Sequence, residues 1–153
     1  MIVTRSKVEL YLHFVWATHR RLPLITPDIE AAVYACILAE AKRCRLEVLA
    51  LNGMPDHVHL VVQKPATITE ADIMRRVKGV SSTFVRDNIV APGGTFRWQD
   101  GYGVFSFHGA QRARVIAYVQ NQKRHHATGD VRPAWEEDEE VRDIPAPRGE
   151  AGL

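Results

Sequence analysis

A chain of 153 residues with 46% apolar and 25% charged residues has the size and make-up of a single globular domain with its own core. Its net charge is only +2, its two cysteines (Cys36 and Cys44) are too few for a disulfide framework, and no run of about 18 apolar residues is present to cross a membrane. The opening MIVTRSKVEL lacks a charged start followed by an apolar stretch and a small-residue cleavage site, so the expected compartment is the cytoplasm.

Val8 to Thr18, VELYLHFVWAT, is aromatic and β-branched with partial alternation, which predicts a strand. Thr26-Pro27-Asp28 then opens a helix, with Thr26 as its cap and Pro27 in its first position. Its apolar stripe is Ile29, Val33, Cys36, Ile37, Ala41 and Cys44. Leu46 to Asn52 predicts a second strand and His57 to Gln63 a third. Gly53-Met54-Pro55-Asp56 breaks between them, so the pair forms an antiparallel hairpin. Thr69 caps a second helix reaching about Val90, with Ile73, Val77, Val80 and Phe84 inward and Arg75, Arg76, Lys78 and Arg86 outward. A fourth strand covers Tyr102 to Phe107, and one last helix covers Gln111 to Thr128.

The expected fold is therefore α+β, a ferredoxin-like split βαβ antiparallel sheet with an added C-terminal helix carrying Tyr118. Residues 1–129 read as the domain and residues 130–153 as an acidic, Pro-containing tail. Residues 136–153 hold seven acids and two bases, a net of −5. That leaves 18 bases and 11 acids, a net of +7, over residues 1–135. A basic body suits a polyanion such as nucleic acid, and equally a surface kept basic for solubility.

Three patterns can carry chemistry. In His57-Val58-His59, residues two apart in a strand share a face, so both imidazoles project together. They make either half of a divalent-metal site or a pair of surface histidines, and a metal would need further oxygen ligands. On the last helix Gln111, Arg114, Tyr118, Gln122 and His125 form one stripe, beside an apolar side of Val115, Ile116 and Val119. Tyr118 can cover the core edge there, or its phenol can act as a nucleophile on phosphorus, with Gln122 supplying a missing oxygen ligand. Arg75, Arg76, Lys78 and Arg86, with Ser81-Ser82-Thr83, are either a solvated face or a set of phosphate contacts.

These patterns occur in stretches that resemble the HUH-type single-tyrosine transposases of small insertion sequences. The stretches are HFVWAT (13–18), NGMPDHVHLVV (52–62), KGVSS (78–82), WQDGYG (98–103) and YVQNQ (118–122), in the family's order. GYGVFS and NQKRHH resemble the REP-associated tyrosine transposase branch. The resemblance spans about Val8 to His126 and leaves the acidic tail outside. It implies that His57, His59 and Gln122 hold Mg²⁺ or Mn²⁺, and that Tyr118 is the catalytic nucleophile. It also implies a single-stranded DNA partner carrying hairpins; the residues expected to contact that DNA, from the basic helix and the last-helix stripe, are Arg75, Arg76, Lys78, Ser81, Ser82, Arg86 and Arg114. The DNA would be cut and rejoined through a 5′-phosphotyrosine. The assembly it implies is a homodimer that exchanges the last helix, so that Tyr118 and Gln122 complete the His57/His59 site of the other chain; the alternative, as in REP-associated members, is a monomer with that helix in cis. The alternatives are a non-catalytic single-strand-binding protein on the same fold and a metal-dependent hydrolase using water. No acidic ligand cluster beside the histidines supports the hydrolase.

Overall fold

The computed structural model describes residues 6–129. The tail proposed for residues 130–153 lies outside the described residues. In chain order the elements are β1 (Leu10–Ala17), α1 (Glu30–Arg43), β2 (Glu47–Met54), β3 (His57–Lys64), α2 (Glu70–Asn88), β4 (Gly103–Phe107), α3 (Arg112–Gln120) and α4 (Gln122–Thr128). The strands form one antiparallel sheet in the order β2-β3-β1-β4. Strands β1 and β2, joined through α1, flank β3. This is the split βαβ, ferredoxin-like arrangement expected from the order of elements.

Alternation along the two central strands builds two layers. Leu12, Phe14 and Trp16 of β1 and Val58, Leu60 and Val62 of β3 face α1 and α2, where Val33, Ile37, Ala41, Ile73, Met74 and Val77 cover them. The opposite face carries Ala50 and Val61, which Val115, Tyr118 and Val119 of α3 cover. Both faces of β1 and β3 are thus buried, which is why their sequences are nearly continuous in large apolar residues.

Three expectations change. The last helix is two: Asn121 leaves the helical region (φ −98°, ψ 19°), and its side-chain amide bonds back to the Ala117 carbonyl at 2.7 Å, ending α3. Gly129, left-handed at φ 73°, then stops α4. The inner face of α2 runs through Ile73, Val77, Ser81 and Val85, while Val80 and Phe84 are exposed. Spacing by four carries the stripe through a serine because Ser81 Oγ donates to the Val77 carbonyl and accepts from Trp98 Nε1 at 2.9 Å. A core position can hold a hydroxyl when both of its roles are filled. Finally, Thr26-Pro27-Asp28 forms a turn ahead of α1, which begins at Glu30, whereas Thr69 caps α2 as expected by accepting from the Asp72 amide at 3.2 Å.

Candidate active site

His57 and His59 project from β3 onto the α3 face of the sheet. Both are buried, and their ring centroids lie 5.1 Å apart. Each ring is oriented through its Nδ1. At His57 the partner is Asp56 Oδ1 at 2.7 Å. The hydrogen bond with His57 is the main influence holding the Asp56 carboxyl below its usual range, and Arg21, 3.7 Å from the other carboxylate oxygen, adds to it. An ionised carboxylate only accepts, so His57 Nδ1 is the donor. At His59 the partner is His13 Nε2 at 2.8 Å, reaching across from the neighbouring strand β1. Both bonds turn the Nε2 atoms to the other side of their rings.

The C-terminal helices bring the remaining residues over the same face. The Tyr118 ring is buried, edge-on to His59 at 6.3 Å, and stacked against His125 at 4.7 Å between centroids. Gln122 is fully buried at the start of α4, and its Oε1 lies 3.2 Å from His126 Nε2. The His126 ring is in turn 5.0 Å from that of His57. Polar ties hold α3 and α4 in this position. Asn52 of β2 donates to the Gln120 carbonyl at 3.0 Å, and Lys123 donates to Asn52 Oδ1 at 2.9 Å and pairs with Glu30 at 3.1 Å. On the strand side, Gly53 lets the chain pass close to β3, because a Cβ there would run into the His57 carbonyl oxygen.

His57, His59, Tyr118 and Gln122 therefore come together within one chain. Two imidazoles and an amide oxygen are a donor set suited to a divalent cation. Nδ1 of each imidazole is bonded to a protein group, the usual outer support of a ligating histidine. Among the described residues no group of three or more His, Cys, Asp or Glu is placed to hold a metal, which leaves the Gln122 oxygen and substrate oxygens to complete a shell.

The basic residues of α2 are not at this site. They lie in the layer across the sheet, and several are engaged there. Arg76 pairs with buried Glu40 at 3.0 Å, and Arg75 with Asp72 at 3.4 Å. Lys78 Nζ donates to the Gln99 and Gly101 carbonyls at 2.7 Å each, holding the loop that leads to β4. Ser81 is buried, with its hydroxyl spent on Trp98 and Val77, so it is out of reach of a phosphate. Ser82 donates to the Gly79 carbonyl at 3.2 Å, and Arg86 lies 3.7 Å from Asp87. Arg114 is exposed on α3, on the same side of the sheet as the histidines.

Sequence reasoning gave no role to His13, Asp56, Arg21 or His126. Asp56 and His126 adjoin assigned residues or positions one turn away. His13 was visible only as a polar residue inside a strand with apolar neighbours on both sides.

Tyr118, His57 and His59 are thus gathered on one face of a ferredoxin-like sheet. The family model for IS200-like transposases matches residues 6–122, and the chain belongs to that family. It is 24% identical over 121 residues to the ISDra2 transposase TnpA of Deinococcus radiodurans, a match covering 74% of this chain and 84% of that relative. The crystal structure of a candidate transposase from Deinococcus radiodurans R1 superposes with a TM-score of 0.62 at 27% identity, covering 80% of this chain and 98% of that one. A REP-associated tyrosine transposase bound to a REP hairpin shares the fold, with a TM-score of 0.59 at 16% identity over 86% of this chain and 76% of that one.

Proposed function

We propose that this transposase cuts and rejoins single-stranded DNA at hairpin-flanked sites through a 5′-phosphotyrosine on Tyr118, assisted by Mg²⁺ or Mn²⁺ held by His57, His59 and Gln122. The observation that carries the reading is the position of Tyr118 and Gln122, from α3 and α4, over His57 and His59 of β3. A bound cation would neutralise charge on the scissile phosphate and its leaving oxygen. Tyr118 Oη, on losing its proton, bonds to phosphorus. The bond from phosphorus to the 3′ oxygen breaks, and that oxygen takes up a proton to become a free 3′ hydroxyl. Rejoining is the reverse displacement by a 3′ hydroxyl, so the diester bond energy is kept and no nucleotide cofactor is required.

Burial of the Tyr118 ring between His59 and His125 limits where its hydroxyl can go, an orientation that favours attack along one line. Exposed Arg114, on the same side of the sheet, is suited to the backbone of the bound strand. Arg75 and Arg76 line, with Arg43 and Arg45, a cleft of about 350 Å³ on the other side of the sheet and are suited to more distant phosphates. The hairpin as partner follows the solved REP-associated relative, which holds one. Packing of α3 on β2 and β3 of its own chain supports completion of the site in cis.

The test is incubation of the full chain with single-stranded DNA from the flanks of its own gene, with Mg²⁺ or Mn²⁺. The expected product is a denaturation-resistant adduct mapped to Tyr118, absent in Tyr118→Phe and in His57→Ala. Salt-sensitive binding with no adduct, unchanged by His57→Ala, would instead identify a binding module. Cleavage that survives Tyr118→Phe would identify a hydrolase.

A further inference from the structure

We propose that His13 is a positioning residue for His59, acting as the hydrogen-bond acceptor that fixes which nitrogen of His59 carries the lone pair a cation would need. The inference rests on the metal reading above. The two histidines of β3 are supported differently. His57 leans on a carboxylate, which can only accept, so its proton is fixed on Nδ1. His59 leans on another imidazole, which can accept or donate. If His13 Nε2 carried the proton, His59 Nδ1 would have to accept and the His59 proton would sit on Nε2, the atom needed for metal. Ligation at His59 Nε2 therefore requires His13 to carry its own proton on Nδ1 and present Nε2 as a lone pair.

The surroundings hold His13 to this task. It is 1% exposed, its ring lies 5.1 Å from that of His59 at 29°, and Phe105 of β4 flanks it at 6.0 Å. The pairing registers place Val61 and Phe105 opposite His13 on its two neighbouring strands. His13 thus sits at the centre of the sheet, behind the site.

The experiment measures Mn²⁺ binding to the full chain by calorimetry, with no DNA. His13→Phe keeps an aromatic ring but no acceptor, and is expected to bind roughly 10–100-fold more weakly. His13→Gln, which can return an oxygen to the Nε2 position, is expected to recover most of that loss. The melting temperature of each metal-free variant reports the fold separately. Mn²⁺ affinity of folded His13→Phe within twofold of wild type overturns the inference while leaving the metal reading intact. Wild-type protein that takes up no Mn²⁺, either alone or with single-stranded DNA from its own flanks added to supply phosphate oxygens, overturns both. A second measurement needs no variant: two-dimensional ¹H–¹⁵N spectra of the histidine rings in the Mg²⁺-loaded wild type. His13 protonated on Nδ1 is the expected result, and His13 protonated on Nε2 overturns the proposal.

Discussion

Ser81 shows how a residue type can point to two roles and the fold can choose one. In the sequence it sits among arginines and serines and looks like a phosphate contact. In the structure its hydroxyl accepts from Trp98 Nε1 and donates to the Val77 carbonyl, inside the core. Replacing it with alanine leaves the indole N–H without this acceptor, which costs about 1–3 kcal/mol. Urea unfolding of Ser81→Ala should show that loss, while single-stranded DNA affinity of the folded variant stays at the wild-type level. Gly53 is the other residue on which the site depends locally. Gly53→Ala drives a methyl group against the His57 carbonyl, so the hairpin must shift. A loss of about 1–3 kcal/mol in stability is expected, together with weaker adduct formation, because His57 moves with its backbone. The histidine pair was legible from sequence because strand periodicity is local. The contact between His13 and His59 was not, because it joins residues 46 positions apart and depends on strand order.

At the level of elements, the strands and the first two helices followed from alternation and capping to within a few residues. The exceptions have physical causes. The inner face of α2 was misplaced where a hydrogen-bonded serine stands in for an apolar residue. The break between α3 and α4 was missed because asparagine within an amphipathic stretch carries no local mark of whether its amide will bond back to the helix. That break bears on function, since Tyr118 ends one segment and Gln122 begins the next. Their joint position depends on ties to β2 as well as on helical periodicity. Asn52 makes two of these ties, to the Gln120 carbonyl and to Lys123. Asn52→Ala should cost only about 1 kcal/mol in global stability, as expected for modest net hydrogen bonds at a half-buried position. Its larger effect should be local, with faster amide exchange across residues 112–128 than across β1 and β3 and a slower rate of adduct formation. Uniformly faster exchange would assign Asn52 to general stability instead.

Across the described residues the candidate site and most of the residues assigned to DNA contact lie on opposite faces of the sheet. The α3 face gathers the histidines and the tyrosine, and the α2 face carries most of the assigned basic residues. Residues 136–153, with a net of −5, offset the +7 of the rest. Deleting them should tighten single-stranded DNA binding and steepen its salt dependence, as expected if the acidic segment competes with phosphate for the basic surface. Unchanged affinity across salt concentrations would remove that role. Assembly is the remaining question at this scale, and the ties from Asn52 and Lys123 bear on it. If α3 and α4 complete the site of their own chain, every site carries its histidines and its tyrosine on one polypeptide. Mixing Tyr118→Phe with His57→Ala then leaves each chain with one broken half, and no adduct forms at any ratio. If the helices are exchanged between two chains, mixed dimers contain one site with both halves intact. Refolding the two inactive variants together would then restore up to about a quarter of wild-type adduct, because half the dimers are mixed and each has one working site of two. Absence of adduct is the outcome expected from the cis packing, and recovery near that fraction would assign the helices to the partner's sheet.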